Sequence, residues 1–315
     1  MLPICLVTGF LGTGKTTFLK HVVARNRDRK IVYLINEFSA HDVDGAIVSA
    51  ENPNVVSIPG GSIFCKCLVT EFIGQLKNVA KEWGEPAHSE SSPYLFGQNS
   101  EVGRDLWASR TEGVVIEASG MANPKVMEQM LAETGLDKLY RLATVVSVID
   151  PNSFLKLRHT LPNIIAQIEA SDVVLINKTD RNPPEKIAET YALVRQINPA
   201  AERIQTVRCN AEIDLFAEHA PRGLQGEYAK CRDPNYATFV TEQPFNGTTL
   251  AAFVRAHADD IYRVKGTLAD EFFDYSTAGI IRTPQPGAGS KLAWIVKGSA
   301  GEKITEALNE ISPVQ

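Results

Sequence analysis

The chain has 315 residues, of which 44% are hydrophobic and 22% charged, and carries a formal net charge of -5. This length predicts two domains with cores of ordinary size. The charge balance offers no basic field for nucleic acid or an anionic membrane surface, and no apolar run approaches the ~20 residues of a membrane span.

Residues 2–8 (LPICLVT) read as a short, buried strand. They lead into Gly9-Phe10-Leu11-Gly12-Thr13-Gly14-Lys15-Thr16-Thr17, which fits the phosphate-loop pattern G-x-x-x-x-G-K-[ST]. Residues 16–25 follow as a helix with Phe18, Leu19, Val22 and Val23 on one side. Strand, Gly-rich loop and helix in this order let backbone N–H groups curl around an anion at the positive end of a helix. Gly9, Gly12, Thr13, Gly14 and Thr17 are candidate nucleotide contacts. Lys15 is the candidate for the β- and γ-phosphates and for catalysis, and the Thr16 hydroxyl is the candidate Mg²⁺ ligand.

Residues 30–35 (KIVYLI) predict a second buried strand, followed by a carboxylate-rich loop over 36–45 that contains Glu37, His41, Asp42 and Asp44. Short strand-like runs follow at 46–48 and 55–58. Pro59-Gly60-Gly61 then breaks the chain ahead of Ser62-Ile63-Phe64-Cys65-Lys66-Cys67. A helix is expected over 68–83 and a polar surface insertion over 84–103. Further strands are predicted at 113–117, 143–150, 172–177 and 204–207, with helices starting at Pro124 and over 161–170 and 184–197. Continuous apolar strands alternating with amphipathic helices predict an α/β unit: a mostly parallel sheet covered by helices on both faces.

Composition shifts over 221–234, which is expected to be a linker. Beyond it, strands at 236–241, 262–268, 272–276, 279–282 and 291–297, with helices at 248–259 and 302–311, predict a small α+β domain with an antiparallel sheet. Residues 284–289 would form its exposed hairpin loop. The expected domains are 1–222 and 236–315.

Asn177-Lys178-Thr179-Asp180 sits at a strand end downstream of the phosphate loop. N-K-x-D there is the guanine-specificity pattern of GTPases. Asp180 can accept from guanine N1–H and its exocyclic amine, Lys178 can lie along the base, and Asn177 can tie this loop to the phosphate loop. Glu117-Ala118-Ser119-Gly120 occupies the place of a γ-phosphate sensor, so Glu117 and Gly120 join Lys15 as candidate catalytic residues. Cys209 lies near the expected base loop, where its backbone or thiol could touch guanine. Cys5 reads as core and Cys231 as an inert linker residue. Cys65 and Cys67 are candidate transition-metal ligands, since thiolates suit soft ions, and Glu37 is a candidate ligand for Mg²⁺ or a transition metal. Five cysteines, an odd number, fit a reducing cytoplasm better than a disulfide framework. The first apolar run begins directly after Met1, which predicts no signal peptide.

Taken in order, residues 9–17, Asn36-Glu37-Phe38, residues 60–67, residues 117–124 and residues 170–180 resemble the CobW-type metallochaperone GTPases. Arg263-Val264-Lys265-Gly266 is similar to the R-x-K-G of that family's C-terminal domain. The resemblance implies a P-loop NTPase fold and a GTPase that binds Mg²⁺ and couples nucleotide state to delivery of a transition metal, Zn²⁺ or Co²⁺, into a client metalloprotein. A homodimer is a further expectation, and the charge balance and short apolar runs predict neither nucleic acid nor membrane as a partner. The chain departs from the family's C-x-C-C after Gly-Gly: Ser62 and Phe64 replace the first two cysteines, Cys65 remains, and Cys67 lies two residues further on. This departure keeps open the alternative of a GTP-dependent switch that docks a protein partner and carries no metal itself.

Overall fold

The computed structural model describes residues 1–37, 55–59, 63–64, 69–83, 111–228, 236–276, 279–287 and 289–310. The carboxylates and His41 expected over 38–44, the strand at 46–48, the insertion at 84–103, and Cys65, Cys67 and Cys231 lie outside the described residues.

Strand β1 (Leu2–Thr8) occupies the centre of a seven-stranded sheet. On one side lie β4 (Gly113–Glu117), β2 (Ile31–Glu37) and β3 (Val55–Pro59), in that order outward. On the other lie β5 (Tyr140–Ile149), β6 (Val173–Ile176) and β7 (Glu202–Gln205). Every pairing is parallel. Chain direction therefore brings the end of every strand to the same edge, where ligands of such sheets bind.

Side-chain alternation along the strands builds two cores at once. Leu2, Ile4 and Leu6 of β1 pack with Phe72, Leu76 and Val79 of α2 (Val69–Trp83) on one face. Cys5 and Val7 pack with Phe18, Leu19, Val22 and Val23 of α1 (Lys15–Arg25) on the other. Among the described residues, four more helices cover the sheet: α3 (Val126–Glu133), α4 (Pro151–Leu157), α5 (Pro162–Glu169) and α6 (Pro184–Ile197).

A separate antiparallel sheet follows. It comprises β8 (Tyr236–Thr241), β9 (Ile261–Leu268), β10 (Glu271–Ser276), β11 (Gly279–Pro284) and β12 (Lys291–Lys297), in the order β11-β10-β9-β12-β8. Its own core, built on Phe273, Leu292 and Trp294, is closed by Leu250 and Val254 of α7 (Gly247–Ala256) and Ile304 and Leu308 of α8 (Gly301–Asn309). Tyr262 and Ile295 leave this core and pack with Phe10 and Leu11 of the first sheet's leading loop.

Several boundaries differ from the sequence reading. Helix α4 was not anticipated; Asp150 caps it by accepting from the Asn152 N–H at 3.0 Å, and Pro151 fills its first turn. Strand β5 starts at Tyr140, whose hydroxyl donates to the Leu76 carbonyl at 2.8 Å. Helix α3 begins two residues after Pro124, and β7 stops at Gln205 rather than 207. The start of the expected linker is a strap on the first sheet. Arg222 pairs with Glu128 at 3.1 Å and also with Asp172, and the Tyr228 hydroxyl donates to Glu133 at 2.7 Å.

Arg222 and Asp172 are both mostly buried, so removing the cation strands a carboxylate away from water. Arg222→Ala should lower the unfolding free energy by about 3 kcal/mol, read as a fall in the urea midpoint. An unchanged midpoint would show that the strap contributes nothing to stability.

Candidate functional site

The phosphate loop runs from the end of β1 to the first turn of α1. Gly9, Gly12 and Gly14 all take positive φ, at 134°, 73° and 118°. The loop's carbonyl oxygens are engaged one after another. Thr13 Oγ1 donates to the Phe10 carbonyl at 2.8 Å, and Lys15 Nζ reaches the same oxygen at 3.2 Å. Lys178 Nζ donates to Gly12 O at 2.6 Å, and Asn177 Nδ2 donates to Thr13 O at 2.8 Å. The Cys209 thiol donates to Gly14 O at 3.3 Å. With its carbonyls held, the loop can offer N–H groups to an anion, aided by the positive end of α1. Lys15 is buried and Thr17 exposed at the start of that helix.

Thr16 and Glu117 meet across the edge between β1 and β4, with the Thr16 hydroxyl donating to Glu117 Oε1 at 3.2 Å. Glu117 is buried at the end of β4. A hydroxyl and a carboxylate in contact are hard oxygen donors of the kind Mg²⁺ takes. Gly120, three residues on, lies against the phosphate loop so closely that a Cβ there would come within 2.7 Å of the Leu11 backbone nitrogen. Helix α5 holds this segment from behind: Gln167 Nε2 donates to Gly120 O at 3.1 Å and to Ala122 O at 3.2 Å, and Asn163 Nδ2 donates to Met121 O at 2.8 Å.

Asn36, at the end of β2, ties neighbouring segments to the stretch after β4. Its Nδ2 donates to Ile58 O at 3.1 Å. Its Oδ1 accepts from Ile63 N at 3.1 Å and from Ser119 N at 3.2 Å. One buried amide thus joins the end of β3, the segment entering Cys65 and the segment entering Gly120.

The third segment follows β6. Besides holding Thr13, Asn177 uses its Oδ1 to accept from Cys209 N at 2.8 Å and from Thr206 Oγ1 at 3.2 Å. Lys178 takes a left-handed φ of 59° and pairs with buried Asp150 at 2.9 Å. Asp180 presents a carboxylate with 45% of its side chain exposed. It is the one acidic side chain of this loop accessible to a ligand. Cys209 was expected to touch a guanine through its backbone or thiol. Both are spent inside the protein instead, on Asn177 and on Gly14.

Sequence patterns missed Asp150 and Gln167. Asp150 ends a strand immediately before a proline, a capping signal that could have been read. Gln167 sits in a helix whose spacing announces only an apolar face. Of the candidate transition-metal ligands, Glu37 ends β2 with its backbone, while its side chain and both Cys65 and Cys67 lie outside the described residues. Among the described residues there is no group of three or more His, Cys, Asp or Glu that could hold a metal ion, and no helix is long and apolar enough to cross a membrane.

Residues 3–205 match the family model described as CobW/HypB/UreG, nucleotide-binding domain. Among curated relatives, the zinc chaperone YeiR of Escherichia coli is 28% identical over 182 residues, 57% of this chain and 47% of its own. The zinc-regulated GTPase metalloprotein activator 1 of Dictyostelium discoideum is 24% identical over 65% of this chain and 46% of its own. The chain therefore spans about half the length of these relatives. Among solved structures, that of Zn(II)-bound YjiA GTPase from E. coli is similar over 99% of each chain, at 19% identity and a TM-score of 0.45. That of HypB from Helicobacter pylori in complex with nickel covers 66% of this chain and 79% of its own, at 14% identity and a TM-score of 0.40.

The cysteines in the described cores give a direct check of the geometry. Burial raises the thiol of Cys5, and raises that of Cys209 from 9.0 to about 12, with nearby Lys178 and Lys15 acting in the opposite direction. Both thiols are fully buried and held as the neutral, unreactive form at pH 8. Alkylation of the folded protein at pH 8 should leave Cys5 and Cys209 intact by peptide mass mapping, whereas both should react in urea. Because the folded value lies above the unfolded one, the stability contributed by Cys209 is complete below pH 9 and lost as pH rises towards 12. Cys209 modification at equal rates in folded and unfolded protein would contradict its place behind the phosphate loop.

Proposed function

The chain belongs to the CobW/HypB/UreG nucleotide-binding family, and on that premise we propose that it is a GTP-binding and GTP-hydrolysing metallochaperone. It couples nucleotide state to delivery of a transition metal to a client metalloprotein. The observation that carries this reading is the convergence, on one sheet edge, of a braced phosphate loop, the Thr16–Glu117 contact and the accessible Asp180 carboxylate. Residues 1–222 form the nucleotide unit in this proposal, and residues 236–315 the unit facing the client or a second copy.

Each residue has a defined task. The N–H groups of residues 12–17 bind the phosphates, and Lys15 opposes the charge on the β- and γ-phosphates. Asp180 accepts from the two guanine donors that adenine does not present together. Thr16 and Glu117 would hold Mg²⁺, which when bound neutralises charge between the phosphates. Gly120 presents its backbone to the terminal phosphate, and Glu117 orients the attacking water. Such chemistry is mainly positioning, so turnover without a partner is slow.

The cargo follows from the relatives' names, zinc chaperone and zinc-regulated activator, which support Zn²⁺; Co²⁺ suits the same thiolates less specifically. Cys65 and Cys67 are the proposed ligands, with Glu37 supplying an oxygen. The net charge of -5 supports a protein partner over nucleic acid or an anionic membrane surface.

Calorimetry tests the nucleotide first. GTP should bind far more tightly than ATP, with discrimination reaching roughly 10⁴-fold where a site is built around such hydrogen bonds, and Asp180→Asn should relax it. Lys15→Ala and Thr16→Ala should abolish turnover in folded protein. Equal affinity for ATP and GTP would sink the guanine reading.

Zinc titration of the reduced chain tests the cargo. Affinity should differ between the GTP- and GDP-bound states, about 5–150-fold for a typical coupling, with protons released as thiols ionise. Replacing Cys65 and Cys67 by Ser should remove the zinc site and leave GTP affinity nearly intact. A double variant that binds Zn²⁺ like the parent would exclude these ligands and favour a switch that docks a partner without metal.

A further inference from the structure

The second sheet lies on the phosphate loop itself. In register across three of its strands stand Ser276 of β10, Arg263 of β9 and Ile295 of β12. Ile295 packs in one core with Phe10 and Leu11, and the Phe10 and Tyr262 rings meet edge to face at 6.3 Å. The other two members of the row cover Gly12. A Cβ at Gly12 would lie 2.9 Å from the Ser276 side chain and 3.1 Å from Arg263 Nη1. Gly12 has φ 73°, so both its backbone and its lack of a side chain are required there.

Arg263 is held by one arm. Its Nη2 donates to Asp274 Oδ2 at 3.0 Å, with 14% of the arginine side chain exposed. The other arm, Nη1, lies over Gly12. The peptide of Gly12 is already gripped by Lys178, so the guanidinium is not needed to shape the loop. A mostly buried arginine costs desolvation, and its attraction to Asp274 recovers that only in part. A forked cation at the rim of a phosphate cradle is suited to a second contact, with phosphate oxygens.

We infer that Arg263 contacts the phosphate chain of the bound nucleotide, so that the second sheet reads phosphate through the Gly12 turn. This rests on the nucleotide reading of the phosphate loop given above. It assigns to residues beyond the matched family region a direct part in nucleotide binding. Asp274 then holds the arginine ready, leaving one arm for the ligand.

The test is a ladder of affinities on the full chain, with guanosine, GMP, GDP and GTP as ligands. Arg263→Gln should weaken GDP and GTP by about 10- to 100-fold, the range for a hydrogen bond to a charged group, and should leave guanosine nearly unchanged. Arg263→Lys keeps the charge without the fork and should lose part of the same preference. Arg282→Gln removes another carboxylate-paired arginine of the same sheet, one bound to Glu271 at 2.8 Å on the far strand, and should leave the ladder as in the parent. Folded Arg263→Gln that binds all four ligands as the parent does, or weakens all four equally, would overturn the inference and reduce Arg263 to packing. Should that variant fail to fold, an unaltered ladder in Arg263→Lys overturns it equally. Should the parent prefer adenine nucleotides, the guanine reading fails by itself, and the same ladder run with adenosine, AMP, ADP and ATP still decides the role of Arg263.

Discussion

A phosphate cradle made of backbone requires peptide groups that turn their N–H ends inward and keep them there without a ligand. Here that constraint is met from the carbonyl side. Phe10 O is held by Thr13 and Lys15, Gly12 O by Lys178, Thr13 O by Asn177 and Gly14 O by Cys209. A carbonyl fixed by a donor fixes its peptide plane, and the N–H of the next residue with it. The Asn177–Lys178 segment, proposed to read the base, is therefore also the brace of the phosphate loop. That explains why Asn177 and Lys178 stand where they do even before a base is considered. Cys209, 32 residues beyond Asn177 in the chain, returns to hold the loop from behind through Gly14 O.

Most of the first unit was legible because its signals are local. The run Leu2–Thr8, the glycine spacing after it and the polar tetrad after Ile176 each place a residue on the strand-end edge with no knowledge of the fold. The parallel sheet followed from continuous apolar runs. What sequence did not reveal depends on partners distant in the chain. Gln167 holds the Gly120 segment across 47 residues, and Arg222 closes on Asp172 across 50. Neither has a local pattern, since a glutamine in an amphipathic helix and an arginine in a Pro/Gly-rich stretch are both ordinary surface choices. Phe10 and Leu11 were readable only as the unconstrained positions of a motif, yet they anchor the second sheet.

Asn36 shows how such a fold can pass displacement between segments. Its amide is buried, and its oxygen accepts from Ile63 and Ser119 together while its nitrogen donates to Ile58. An acceptor shared between two N–H groups cannot follow one without straining the other, because a buried N–H left unpaired costs about 1–3 kcal/mol. Ser119 adjoins Gly120, the segment nearest the phosphate loop, and Ile63 enters the stretch that carries Cys65. One buried amide thus fixes the Ile63 and Ser119 backbones relative to each other.

The cations around the loop differ in how they are balanced, and the difference bears on what a ligand changes. Lys178 has Asp150 and Arg263 has Asp274, each at hydrogen-bond distance. Each pair offsets part of the cost of keeping charge out of water before any nucleotide arrives, and each carboxylate holds its cation in place. Glu117, buried at the end of β4, accepts from the hydroxyl of Thr16. A buried carboxylate facing a hydroxyl gains far more from a divalent cation than from that hydrogen bond. Paired cations thus stand on the Lys178 and Arg263 sides of the loop, and the Thr16–Glu117 contact stands on the side where the proposed cation-bound phosphate would lie. On the proposed reading, that placement would set a polyphosphate with its cation towards Glu117 and Gly120, next to the Ser119 N–H that Asn36 holds together with the Ile63 N–H.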